Sequence, residues 1–133
     1  MIVDASVAVK WFVPEPGSDR AEVLLAPRQP LVAPDLILPE TLSALWKALR
    51  RRIVTEDAYA AAAAALPRMF GRLMPAVHLV VRAASMAKAL DHSPYDCIYL
   101  ALAEAEGDVL VTADMKFLET LEATPWAGLA RAL

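Results

Sequence analysis

Asp4, Glu40, Asp96 and Asp114 are the residues of this sequence whose type and placement could do chemistry together. Asp4 closes the apolar run Met1-Ile-Val, and Asp114 follows a second such run, Asp108-Val-Leu-Val-Thr112. Carboxylates packed into one pocket repel each other and drift toward protonation unless cations compensate them. Oxygen-only donors of this kind select Mg2+ or Mn2+ over Zn2+, and neither Cys97 nor the two histidines, His78 and His92, stands at a zinc-site spacing.

Taken singly, each acid has a plain structural role open to it. Asp4 and Asp114 could cap the helix that follows, and Asp96 could complete a capping box with Ser93. Glu40 sits on a helical wheel nearly opposite a stripe of Leu42, Leu45, Trp46, Leu49 and Ile53, beside Ser43, Ala44 and Lys47, a face that could simply be solvated. Only the elements that carry the four acids can bring them to one place.

Those elements read as follows. The strand at the start turns into a helix through Val7, Ala8, Val9, Trp11 and Phe12, which Pro14, Pro16 and Gly17 stop. Ser18 caps a second helix, with Ala21, Leu24 and Leu25 as its apolar stripe and Pro27 at its end. Residues 31–33 form a second strand. Asp35 caps a long helix to about Arg52, with a first turn distorted by Pro39. Thr55 opens another, rich in alanine and closed by Pro67. Residues 76–80 read as a third strand and 81–90 as a helix. Ser93-Pro94-Tyr95-Asp96 starts a helix that runs to Glu106 and stops at Gly107. Residues 108–112 are the fourth strand, Ala113-Asp114 leads a helix to about Glu122, and the tail 123–133 has no clear assignment.

Short, wholly apolar strands separated by helices imply an α/β fold of three layers, a mainly parallel sheet with helices on both faces. In such a sheet ligands bind beyond the carboxyl ends of the strands, where Asp4 and Asp114 lie. Asp96, in the first turn of its helix, and Glu40, on the helix after the second strand, could lean over the same edge. The four acids could therefore converge.

The totals agree with a folded enzyme-sized unit. With 133 residues, 58% apolar and 22% charged, one domain spanning 1–133 is expected. No apolar run is long enough to cross a bilayer and the start carries no basic segment, so a cytoplasmic location is expected. Cys97 alone cannot form an internal disulfide and reads as a small buried side chain. A net charge of −3 argues against coating nucleic acid by bulk electrostatics, so any such contact must be local.

Four segments resemble the signature blocks of the PIN-domain ribonucleases, in particular the VapC-type toxins of toxin–antitoxin pairs. They are Ile2-Val-Asp-Ala-Ser6, Leu38-Pro-Glu-Thr-Leu-Ser-Ala-Leu45, Tyr95-Asp-Cys-Ile-Tyr-Leu-Ala-Leu-Ala103 and Val111-Thr-Ala-Asp114. Each block is weak alone; the set matches in order and spacing over nearly the whole chain. The resemblance implies a PIN-like fold and hydrolysis of RNA phosphodiester bonds with one or two Mg2+ ions, Mn2+ substituting. It places the acidic positions on Asp4, Glu40, Asp96 and Asp114, with Asp4 and Asp96 as primary ligands, Asp114 on the same or a second ion, and Glu40 as ligand or water orienter. Ser6 and Thr112 become supporting hydroxyls. Ser43 stands where relatives often carry Asn, and Lys116 and Phe117 follow the last acid where some relatives have a further one.

Lys47 and Arg51 share the face of Glu40, with Arg50 and Arg52 flanking, so a cationic ridge for RNA phosphates could lead away from the acids. The competing reading is a solvated helix end whose cations suit the dipole. Lys10 and Trp11 could also line the site, although Trp11 reads as core. The resemblance further implies a small antitoxin partner and a homodimer. A non-enzymatic alternative is a catalytically degenerate PIN fold kept for dimerisation and partner binding. A phosphoacceptor signalling domain would need an Asp after a central strand, which His78-Leu-Val-Val does not supply.

Overall fold

Five short parallel strands make one sheet in the order β3-β2-β1-β4-β5 in the computed structural model, which describes residues 1–26 and 30–133. The strands are β1 (Ile2–Val3), β2 (Val32–Pro34), β3 (Arg72–Met74), β4 (Leu110–Thr112) and β5 (Ala130–Ala132). β1 and β4 lie side by side with Val3 opposite Val111. From β1 the chain builds outward to β2 and β3, then returns to β4 on the other side of β1. The order thus reverses between β1 and β4, which opens a crevice at their carboxyl ends.

Parallel neighbours need crossovers, and among the described residues seven α-helices supply them: α1 (Ala5–Ala8), α2 (Ser18–Val23), α3 (Ile37–Arg50), α4 (Glu56–Ala65), α5 (Val80–Leu90), α6 (Pro94–Glu106) and α7 (Met115–Leu121). Right-handed crossovers running in opposite directions from β1 put the two sets of helices on opposite faces. The result is the three-layer α/β architecture that the strand pattern implies. α6 lies across β1, β2 and β4 with α5 stacked on it, while α1 packs on α3 and α3 on α4. Ile2, Val3, Leu110 and Val111 are fully buried between the layers, together with Leu100 and Leu102 of α6. Among the described residues no helix is long and apolar enough to cross a membrane.

Local chemistry explains most of the element ends. Thr55 accepts the Ala58 N–H and caps α4, Ser93 caps α6 with Pro94 behind it, and Gly107 ends α6 at φ 60°, where a side chain would be strained. Cys97 is free and buried, as expected.

Several expectations are corrected. Residues 76–80 are not a strand: the third strand is Arg72–Met74, and Ala76–His78 is a 3-10 turn leading into α5. Pro75 breaks the strand and the Asp35 carboxylate accepts the Ala76 N–H, which fixes the turn. Asp35 therefore does not cap α3, whose cap position is Leu36 without a side-chain bond. Pro39 falls in the first turn of that helix, where the N–H groups have no intrahelical partner. Ser18 does not cap α2 from outside; Gly17 takes the cap position at φ 90°, and the Ser18 hydroxyl accepts from Glu15 N–H and donates to Val13 O. α2 ends at Val23, and Pro27 lies outside the described residues.

The buried face of α3 is also rotated from the expected stripe. Ile37, Thr41, Leu45 and Ala48 face inward, whereas Trp46 and Ile53 are 47% and 55% exposed. Short Thr41 and Ala48 share that inward face with large Ile37 and Leu45. The tail, which has no clear pattern in sequence, adds β5 beside β4.

Candidate active site

The carboxyl end of β1 delivers Asp4 directly into the crevice. Its side chain is only 7% exposed. Asp4 caps α1, with Oδ1 accepting the Val7 N–H at 3.1 Å and the Ser6 hydroxyl at 2.6 Å. Ser6 in turn accepts the Ala113 N–H at 2.8 Å, and its hydroxyl lies 3.4 Å from that of Thr112. One serine thus ties the end of β1 to the end of β4. Thr112, fully buried, accepts the Asp114 N–H at 3.0 Å. Asp114 caps α7, its Oδ1 accepting from Lys116 N–H and Phe117 N–H.

Asp96 and Glu40 arrive from helices on the two faces of the sheet. Asp96 is in the first turn of α6, and instead of closing a capping box its Oδ2 lies 2.9 Å from His92 Nε2. The His92 ring is stacked on buried Phe117 at 4.8 Å. Glu40, in the first turn of α3, accepts the Tyr99 hydroxyl on Oε2 at 2.5 Å. Tyr99 follows Asp96 by one helical turn and is 2% exposed.

The electrostatics bind the four acids into one group. Burial pushes Asp4 up to about 6 from its ordinary 3.8; the Ser6 and Thr112 hydroxyls and Val7 N–H oppose the rise, and the Asp96 charge adds to it. Thr112 acts on Asp4 from nearby without a direct bond of hydrogen-bond length. Burial likewise raises Glu40 and Asp96. The Tyr99 bond lowers Glu40 and the Asp96 charge raises it, while His92 lowers Asp96 and Asp114 raises it. Asp96 is the member linked to each of the others, raising Asp4 and Glu40 and itself raised by Asp114. Burial, then Glu40, Asp4 and Asp96, hold the Tyr99 phenol firmly protonated.

Each carboxylate is held through one oxygen: Asp4 Oδ1, Glu40 Oε2, Asp96 Oδ2 and Asp114 Oδ1. Among the described residues the opposite oxygens carry no hydrogen bond from the protein. No three acid, histidine or cysteine side chains among those residues are drawn together closely enough to chelate an ion directly. An oxygen-only set with one open oxygen per group suits a hard cation such as Mg2+, which takes one or two carboxylates and keeps several waters.

A groove leaves the acids along α3. Its first stretch, about 330 Å3, is lined by Ser6, Val9, Glu40, Ser43, Ala44 and Lys47. A second stretch of about 250 Å3 shares Val9, Ala44 and Lys47 and continues to Ala48, Arg51 and Ile53. Ser43, Lys47 and Arg51 therefore border the groove. Arg50 does not; its guanidinium lies over the Trp46 ring at 5.2 Å. On the other side of the crevice, Lys10 and Arg20 line a smaller pocket with Thr112 and Ala113. Lys10 pairs with Glu15 at 3.3 Å. Trp11 is half-buried with its indole N–H donated to Ala21 O, a packing role.

Sequence reasoning assigned no site role to two residues that touch the acids, His92 and Tyr99. The signals were present: His92 is four residues before Asp96 across a helix start, and Tyr99 is three after it on the same face.

The PIN domain family model matches residues 1–121. The ribonuclease VapC3 of Pyrobaculum aerophilum is 34% identical over 125 residues, covering 92% of this chain and 95% of that protein. Among solved structures, PAE2754 from Pyrobaculum aerophilum superposes with a TM-score of 0.68 at 27% identity, over 92% of this chain and 80% of that one. The sarcin–ricin-loop-cleaving toxin VapC20 of Mycobacterium tuberculosis superposes with a TM-score of 0.69 at 22% identity, over 93% of this chain and 98% of that one. An acid-lined crevice at the sheet's switch point, a family model spanning nearly the whole chain and a VapC relative at this identity lead to one conclusion: the chain belongs to the PIN domain family.

Proposed function

We propose that this chain is a Mg2+-dependent endoribonuclease, with Mn2+ as a substitute, and the toxin of a type II toxin–antitoxin pair. The observation that carries the reading is the placement of Asp4, Glu40, Asp96 and Asp114 at the ends of β1 and β4 and in the first turns of α3 and α6, each held through one oxygen, with Asp96 electrostatically linked to the other three. Carboxylates gathered in a crevice, with Asp4 buried among them, are costly in their charged form unless a cation compensates them. The 34% identity to a ribonuclease supplies the substrate class.

Asp4 and Asp96 would be the principal ligands, Asp114 would serve the same or a second ion, and Glu40 would hold an ion or the attacking water. When bound, the metal supplies positive charge opposite the scissile phosphate and lowers the pKa of the attacking water. The protein's own part is positioning. Ser6 and Thr112 fix Asp4 and the β4 end relative to each other, so the two strand ends act as one rigid edge. Buried β1 and β4 exclude water from beneath the acids. Lys47 and Arg51 along the groove would receive RNA phosphates on one side, and Lys10 and Arg20 on the other. A net negative chain would thereby contact RNA locally. A cognate antitoxin belongs to this reading because the relatives are VapC proteins, and a homodimer is proposed with it on the family resemblance alone.

Incubation of the purified protein with cellular RNA tests it. Cleavage with Mg2+ and none with EDTA is expected. RNA left intact by wild type with Mg2+ and with Mn2+, under conditions where the fold is intact, would favour the non-enzymatic module.

A further inference from the structure

We propose that Tyr99 and His92 are positioning residues that restrict Glu40 and Asp96 to one open oxygen each, so that the acid cluster meets a divalent ion through single oxygens. This rests on the metal-dependent reading above and concerns how the site discriminates between ions.

Asp4 and Asp114 have one oxygen taken by main-chain N–H groups, a consequence of capping α1 and α7. Glu40 and Asp96 have no such partner: Asp96 does not bond the main chain at its helix start, and no side-chain cap is made at the start of α3. Their orientation depends instead on two side chains from elsewhere. The Tyr99 hydroxyl reaches across from α6 to α3 and occupies Glu40 Oε2 at 2.5 Å. With Tyr99 2% exposed and Leu100 fully buried beside it, the phenol has little freedom to move. His92 occupies Asp96 Oδ2 at 2.9 Å, and its ring is held in place by Phe117. Phe117 belongs to α7, the helix capped by Asp114, so the clamp on Asp96 is built on the element that carries its neighbour.

Single-oxygen coordination favours a small ion. Mg2+ demands near-octahedral geometry, and Mn2+ accepts the same donors, whereas Ca2+ accommodates six to eight oxygens and often takes a carboxylate through both. Holding one oxygen of each acid away from the ion works against Ca2+. Loss of Tyr99 or His92 as donors would free Glu40 or Asp96 to rotate and offer both oxygens.

Mn2+ and Ca2+ titrations by calorimetry of wild type, Tyr99→Phe, His92→Ala and His92→Gln test the proposal. Tyr99→Phe keeps the ring and removes only the hydroxyl; thermal melts check that each variant folds. Mn2+ affinity is expected to fall about 10- to 100-fold in Tyr99→Phe and His92→Ala. Ca2+ affinity should hold or rise, so the Mn2+/Ca2+ ratio collapses, which general loosening of the fold would not produce. His92→Gln, which retains an N–H donor, should recover part of the preference. Adding Tyr99→Phe to Glu40→Gln should cost little beyond Glu40→Gln alone, because both changes act on one carboxylate. A wild-type Mn2+/Ca2+ ratio in folded Tyr99→Phe and His92→Ala would overturn the positioning role and leave the nuclease reading standing. Failure of wild type to bind Mn2+ at all would overturn both.

Discussion

Asp4→Asn in metal-free protein is the perturbation whose magnitude follows most directly from the site. Asp4 is nearly fully buried, and burial holds its carboxyl at about 6 against an ordinary 3.8. As pH falls through about 6 the folded state takes up the proton first, while the unfolded chain stays ionised until near 3.8. Folded protein is therefore stabilised as pH falls across that window and loses the stabilisation as pH rises through 6. The gap corresponds to about 3 kcal/mol at neutral pH, using about 1.4 kcal/mol per pH unit. Asparagine keeps an acceptor for Ser6 and Val7 and carries no charge, so it should recover most of that cost. Urea unfolding in EDTA at pH 7.5 should show Asp4→Asn more stable than wild type by up to about 3 kcal/mol, with Tm higher by on the order of 10 °C. At pH 4.5 the difference should shrink to about 1 kcal/mol, because Asp4 is then neutral in the fold but still mostly ionised in the unfolded chain, and it should vanish only below pH 3.8, where both states are protonated. A variant that is equally stable, or less stable, than wild type at pH 7.5 would refute the claim that Asp4 carries an uncompensated buried charge.

Other substitutions separate the roles of neighbouring groups. Saturating Mn2+, at about 100 times Kd, should stabilise wild type by about 2.7 kcal/mol in thermal melts and leave Asp96→Asn nearly unshifted. Asp114→Ala should lower stability by about 1 kcal/mol through loss of the α7 cap, whereas Asp114→Asn should keep the cap and still lose RNA cleavage. Lys47→Ala with Arg51→Ala should weaken RNA binding and flatten its salt dependence by about 1.4 to 1.8 units of log–log slope, as read by filter binding at several salt concentrations. Arg50→Ala, directed at a cation lying over Trp46, should change that slope less.

The residues that make the site were legible where the signal is local. Asp4, Asp96 and Asp114 sit at strand ends or helix starts that apolar runs and capping chemistry mark out, and the four-block resemblance links them to Glu40. Thr55, Ser93 and Gly107 end their elements by the chemistry their types dictate. What was not legible depended on contacts distant in sequence. Residues 76–80 are apolar enough for a strand, yet the Asp35 carboxylate and Pro75 make them a turn, and Val77 ends 73% exposed. β5 lacks a strand signature because it is a short edge with Arg131 and Ala132 exposed, and it exists by pairing with β4. The inward face of α3 was misread because large apolar side chains suggest burial, whereas short Thr41 and Ala48 share the buried face. Tyr99 stands far from Glu40 in the sequence, and only the packing of α6 makes it a partner.

The account's central claim is that the acid cluster at the β1–β4 crevice cleaves RNA. Mapping of RNA 5′ ends after induction of wild type and of Asp4→Asn at matched protein levels tests it most directly. New, discrete ends are expected with wild type and should be absent with the variant. Identical end profiles from the two would contradict it.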